Sequence, residues 1–262
     1  FGYGVGLSDD GLTLAVASYD EDGSGRTVNA IPDNLANGSG SSYVFVRENG
    51  GWRQQAYLKG SRTQRVDATG ISIAISGDGN TIASASAEES CMVPGIDPPG
   101  CDIDTWPPQI GSSSSGAVYV WVRNGNTWRE QSFIKTTNPD IEDIFGYRIA
   151  LNGDGSRLVA TAPNEDSKAR GVNGNQSDNS ATESGAAYFF VRNGTTWSQH
   201  AYVKGSNTEA FDEFGGGVAI SGDGKTFVVG SRWEASAAQG VNGNQSDNSA
   251  QGAGAAYVFE DH

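Results

Sequence analysis

The chain is poor in the residues on which much enzyme chemistry rests. Its 262 residues include two histidines, two cysteines and one methionine, Met92. So few histidines leave little for zinc ligation or a histidine-centred acid–base set. Lys and Arg number 17 against 31 Asp and Glu, for a net charge of -14. That balance excludes a nucleic-acid partner, because neutralising phosphates needs clustered cations. No membrane span is expected, since no run approaches the roughly 20 apolar residues such a span requires. A phosphate-binding GxxxxGK loop is missing too. Neither an initiating methionine nor a secretory leader is present, which reads as a processed chain or a segment of something longer. Aromatics, by contrast, are plentiful: six Trp, nine Tyr and ten Phe are core material that disordered acidic chains lack.

What the chain has is repetition. SDDG at 8–11 returns as SGDG at 76–79, NGDG at 152–155 and SGDG at 221–224. An aromatic run recurs at Tyr43-Val44-Phe45, Tyr119-Val120-Trp121, Tyr188-Phe189-Phe190 and Tyr257-Val258-Phe259. Trp52, Trp128 and Trp197 are followed by AYLK, SFIK and AYVK. Three marks in constant order define repeats at 1–66, 67–142, 143–211 and 212–262.

Each unit reads as β structure. Val218-Ala219-Ile220 is a short strand closed by an Asp-Gly turn, and Lys225–Val229 returns antiparallel. A long polar loop follows. Then comes Gly185–Val191, apolar on both faces and so a central strand. Asn-Gly turns at 49–50 and 193–194 lead into the Trp strand. Four strands per unit, repeated four times, give an all-β fold: a β-propeller of four-stranded antiparallel blades. A linear solenoid uses shorter repeats, and a sandwich has no need of this long-period identity.

These marks resemble FG-GAP repeats, the units of bacterial and algal secreted propellers and of the integrin α-subunit head. The resemblance rests on Asp143-Ile144-Phe145-Gly146 and Asp212-Glu213-Phe214-Gly215, the Ser-Gly-Asp-Gly turn, Ala162-Pro163, and Gly185-Ala186-Ala187-Tyr188. The loop GVNGNQSDNSA at 171–181 and 240–250 looks like that of bacterial secreted members. Repeat two departs, with Asp67-Ala68-Thr69-Gly70, and repeat four has Gly230-Ser231-Arg232 for Gly-Ala-Pro. The chain opens inside a motif at Phe1-Gly2 and stops before a fourth Trp strand, so the last blade is expected to be incomplete.

Eleven residues after the turn aspartates Asp10, Asp78, Asp154 and Asp223 stand Glu21, Glu89, Glu165 and Glu234. Repeat one places Asp20, Asp22 and Ser24 at alternate positions with glycines, the opening half of a calcium loop. Repeat three offers Asn164, Glu165 and Asp166. The resemblance adds that integrin-like propellers carry calcium on some repeats. Ca2+ is therefore the one candidate cofactor, and the alternative is that these glutamates cap turns. The recurring aspartates themselves are explained by turn chemistry.

Cys91 and Cys101 flank a Pro-Gly loop, and their spacing suits a disulfide better than a metal site or a redox pair. Glycosylation sequons stand at Asn37, Asn175, Asn193 and Asn244. His200 has no nucleophile pattern to serve, and Trp106 in the insertion reads as local packing.

The expected function is that of a non-enzymatic module, extracellular or on the cell surface. It would serve adhesion, matrix or surface structure through protein or glycan contacts. Two alternatives stand beside it. One is a carbohydrate-active enzyme on a propeller scaffold. The other is a subunit of an extracellular filament, in which neighbouring subunits supply the missing strand.

Overall fold

A computed structural model describes residues 1–101 and 113–261. Trp106 lies outside the described residues. No helix occurs among them, and they form fifteen strands in four antiparallel sheets. The first blade is β1 (Val5–Leu7), β2 (Thr13–Ser18), β3 (Ser41–Glu48) and β4 (Gly51–Leu58). The second is β5 (Ser72–Ile75), β6 (Thr81–Ser86), β7 (Ala117–Asn124) and β8 (Thr127–Ile134). The third is β9 (Ile149–Leu151), β10 (Arg157–Ala162), β11 (Ala186–Asn193) and β12 (Thr196–Val203). The fourth has three strands: β13 (Phe214–Ile220), β14 (Thr226–Ser231) and β15 (Ala255–Glu260). As the missing Trp strand implied, Ala255–Glu260 is the outermost strand of its blade.

Local chemistry sets this meander. Each turn aspartate accepts hydrogen bonds from the residue two before it and the residue two after it. Ser8 Oγ and the Leu12 amide, at 2.6 and 2.9 Å, serve Asp10. Asp78, Asp154 and Asp223 repeat the pattern. The turn reading of these residues therefore holds. In each complete blade the register shifts at the aromatic run, between Val44/Phe45, Val120/Trp121 and Phe189/Phe190. Such bulges deepen the twist that fans blades about an axis.

The first strands β1, β5, β9 and β13 lie side by side in that order. Their turns are linked by backbone bonds from the Asp9 amide to Gly77, Asp78 to Gly153, and Gly153 to Gly222. Third strands are apolar on both faces because each meets two neighbours. Tyr188 and Phe190 pack with Val118 and Val120 of the second blade, while Ala187 and Phe189 pack with Phe214 and Phe227 of the fourth. All of these are buried. Phe145 meets Tyr188 of its own blade edge-on, and Phe214 meets Tyr257 at a tilt. Thr69 replaces that phenylalanine in blade two. There Thr69 Oγ1 lies 2.9 Å from Ser86 Oγ, and the larger Trp121 stacks on Tyr119.

Adjacent blades are stapled by backbone. The amides of Val66, Ala68 and Thr69 donate to Asn37, Gly38 and Ser39. Glu142, Ile144 and Phe145 donate likewise to Ser113, Ser114 and Ser115, and Phe211, Glu213 and Phe214 to Thr182, Glu183 and Ser184. The geometry forces left-handed backbone on non-glycine residues: φ is 66° at Val66, 65° at Glu142 and 69° at Phe211. A β-branched residue there is an outlier held by its surroundings. Gly116 sits at one staple with φ +79°, and a Cβ there would collide with the Phe145 backbone. Gly116→Ala is expected to cost about 2–5 kcal/mol, from left-handed strain plus overpacking. Gly254, its counterpart in blade four, meets nothing closer than 3.4 Å. Gly254→Ala should cost only about 1–2 kcal/mol, the strain alone. Chemical denaturation of the two variants measures the difference.

Candidate functional site

The recurrent glutamates are not solvent-facing ligands. They belong to a latch that uses the Lys two residues after the aromatic of each fourth strand. Lys59, Lys135 and Lys204 are fully buried. Their Nζ atoms donate to Glu21, Glu89 and Glu165 at 3.1, 2.6 and 2.7 Å. Each also donates to a serine hydroxyl, Ser39, Ser115 or Ser184, at 2.7–2.8 Å. Lys59 and Lys135 add the carbonyls of Gly40 and Gly116. Tyr57 and Tyr202 hydroxyls donate to the second oxygens of Glu21 and Glu165. Phe133 has no hydroxyl, and in blade two the Cys91 amide takes that place, 2.8 Å from Glu89. Burial lowers the pKa of all three lysines and raises those of Tyr57 and Tyr202.

A second grip holds the other edge of the fourth strand. Asn29, Asp97 and Asn173, at φ 57°, 48° and 55°, each donate their amide to the strand and accept one back on the side chain. The returning bonds come from Tyr57, Phe133 and Tyr202, at 2.8–3.0 Å. The long loop between second and third strands is thereby fixed near its start by glutamate and again farther along by this residue. Sequence reading registered the glutamates and the Tyr-x-Lys ends separately. Their common recurrence was the available signal; what hid the pairing was a separation of 38 to 46 residues.

The calcium candidates do not fit a calcium cage. Asp22 accepts the Gly38 amide, and both the amide and hydroxyl of Ser24 donate to Asp33. Asp166 accepts the Glu183 amide, and Glu165 is committed to Lys204. Asp20 is exposed and Asn164 half-buried. Among the described residues no three His, Cys, Asp or Glu gather to hold a metal. In repeat three the buried Lys204 ammonium already neutralises Glu165.

Cys91 and Cys101 are bonded, with Cα atoms 5.5 Å apart. Asn37, Asn175 and Asn244 are exposed on the long loops, and Asn193 is exposed at the opposite end as the last residue of β11. His200 lies on the surface 3.0 Å from Asp261. On the long-loop edge of blade four, Phe211 and Trp233 are both more than half exposed and line an open cleft of about 580 Å3 with Glu209, Glu213, Asn248 and Gln251. Arg232 pairs with Glu213 and lies over Trp233.

Four sheets joined in order through their inner strands define a β-propeller. Residues 197–259 match the FG-GAP repeat family, so the chain is a propeller carrying an FG-GAP repeat. The matched stretch runs from a Trp strand to the next Tyr run and so straddles two blades. No curated protein matches. Among solved structures the chain is similar to hydrazine synthase of Kuenenia stuttgartiensis, at 14% identity and TM-score 0.45, covering 87% of this chain and 41% of that one. It is similar to Sqt1 of Saccharomyces cerevisiae, at 9% and 0.45, covering 88% and 43%. A third is the Cps50 (Swd1) β-propeller domain of Myceliophteria thermophila, at 11% and 0.46, covering 88% and 49%. The chain spans less than half the length of each, and at these scores none carries an argument about it.

Two measurements probe the latch. Lys135→Met leaves Glu89 buried without its counter-charge and should cost about 3–5 kcal/mol in chemical denaturation. The second is pH. Burial, reinforced by the nearby glutamates, pushes Asp67 up to about 8, Asp143 to about 7 and Asp212 to about 6, from 3.8. A carboxyl raised in the folded state favours folding while protonated, so its contribution is lost as pH rises through those values. Melting temperature should fall between about pH 5 and pH 8.5. The lowered lysines act in the opposite sense, so Asp67→Asn isolates the aspartate by flattening the slope. An unchanged slope in that variant would refute the assignment.

Proposed function

We propose that the chain is a non-enzymatic extracellular propeller module that works through protein or glycan contacts, in adhesion, matrix or surface structure. The observation that carries this is the Phe211–Trp233 cleft on the long-loop edge. Phe211 and the half-exposed Trp233, one face of which lies under Arg232, stand beside the amide of Gln251 and the carboxylates of Glu209 and Glu213, which are bonded to Asn248 and Arg232, and these suit a sugar ring. Aromatic rings stack on its C–H face, and carboxylates and amides bond its hydroxyls. The recurrent glutamates of the three complete blades are paired with buried lysines. The disulfide and the exposed sequons on the long loops accord with an extracellular setting.

Screening on an immobilised glycan array, followed by titration of the best ligand, tests the reading. Trp233→Ala should weaken that ligand at least tenfold, about 1.4 kcal/mol. Binding undisturbed by Trp233→Ala removes the cleft as the site. Turnover of a glycoside, abolished by Glu209→Gln or Glu213→Gln, would establish the enzyme alternative instead.

A further inference from the structure

Blade two fastens its long loop with the disulfide, where its siblings use oxygen. Cys91 stands two residues after Glu89, as Ser167 does after Glu165 and Ser236 after Glu234. Each of these serine hydroxyls donates to a carbonyl on the far limb of its loop, that of Asn175 or Asn244, at 2.8 and 3.0 Å. Each also accepts the amide two residues on, from Ala169 or Ala238, at 3.0 Å. Cys91 occupies the same seat. Its Sγ accepts the Val93 amide at 3.4 Å. Its carbonyl accepts Ser115 Oγ at 2.9 Å, as that of Ser167 accepts Ser184 Oγ at 2.8 Å. The reach to the far limb is made instead by the bond to Cys101. Blade one meets the same need with Asp33, which takes both the amide and the hydroxyl of Ser24 at 2.7 Å. Among the described residues no hydrogen bond duplicates the crosslink in blade two.

The latch and the β8 edge both lean on this loop. With Phe133 in place of a tyrosine, the Glu89 carboxylate is held by the Cys91 amide at 2.8 Å and Lys135 Nζ at 2.6 Å. Inside the crosslinked loop, Asp97 exchanges two 2.8 Å bonds with Phe133. Gly95 accepts the Lys135 amide at 2.9 Å and donates to Thr136 at 3.0 Å.

We propose that the Cys91–Cys101 bond is a redox-controlled pin, which fastens the loop of blade two while oxidised and frees that loop alone when a dithiol reduces it. Cys101 is buried and Cys91 half-buried, so the reductant thiolate bonds to the Cys91 sulfur and Cys101 leaves as thiolate. The second thiol of the reductant then displaces Cys91. The products are an oxidised cyclic reductant and, once protonated from water, two cysteine thiols. A thiol is a weak donor, so Cys91 does not revert to the serine's hydrogen bond. The loop then opens at its base, Glu89 keeps Lys135 alone, and the grip on β8 loosens. Blades one and three, pinned by oxygen, are indifferent to the change. Blade two is thus slack wherever thiols stay reduced and taut after oxidation.

Hydrogen exchange of the full chain, oxidised and in dithiothreitol, tests this, with thiol labelling to register that the bond has opened. The amides of Phe133 and Lys135 should exchange roughly tenfold faster or more in the reduced chain. Those of Tyr57, Tyr202 and Lys204, held by the equivalent grips of blades one and three, should keep their rates. Cys91→Ala/Cys101→Ala should show the fast rates without reductant, and dithiothreitol should not alter them further. Should that variant fold poorly, the comparison of oxidised and reduced wild type stands by itself. A bond that dithiothreitol leaves closed in the folded chain overturns the proposal. So do unchanged rates at Phe133 and Lys135 once it is open, or equal acceleration in all blades. No glycan enters the measurement, so it succeeds or fails apart from the Phe211–Trp233 cleft.

Discussion

Three ammonium groups without access to water hold this molecule in shape. A buried lysine is costly to desolvate, by several kcal/mol, and the cost is met only when every donor finds an acceptor. Lys59 and Lys135 meet that condition with a carboxylate, a hydroxyl and a backbone carbonyl each. All three acceptors lie at the two ends of the same long loop. The contact therefore fastens the fourth strand and closes the loop against its own blade in one stroke. The staple to the next blade begins at the serine of that cluster, since Ser39, Ser115 and Ser184 also offer their carbonyls across the seam. Strand, loop and seam thus share one anchor.

Around that anchor the chain divides its labour by residue type. Aromatics fill the wedges between sheets, glycines let backbones approach at the seams, and short polar side chains close the turns. The acidic composition is less a surface property than it looks. Glu89 and Glu165 are buried, and so are Asp67 and Asp143. Carboxylates counted in the net charge are part of the core here, where burial keeps the aspartates partly protonated near neutral pH.

The strand order was legible because its signals are local. Asp-Gly turns, alternating or continuous apolar runs and the Trp marks each specify structure within ten residues. The disulfide was legible for the same reason. The latch was not, because Lys204 and Glu165 meet only after a loop and two whole strands have folded between them. Lacking that partner, a glutamate beside Asp166 reads naturally as a metal ligand. The seam was equally hidden, since Val66 and Phe211 adopt left-handed backbone that their residue types disfavour. Only the neighbouring blade imposes it.

Because each latch draws its lysine, glutamate and serine from one repeat, a blade carries its own fastening wherever it is placed. The backbone staples at the seams make few demands on the identity of the adjoining unit, although the side chains in the wedge between sheets must still fit. A gene segment encoding one repeat can therefore be copied, lost or shuffled without unpairing a buried charge. Propellers of different blade number lie within easy reach of recombination, and Asp67-Ala68-Thr69-Gly70 shows how far one unit can drift while still fitting between its neighbours.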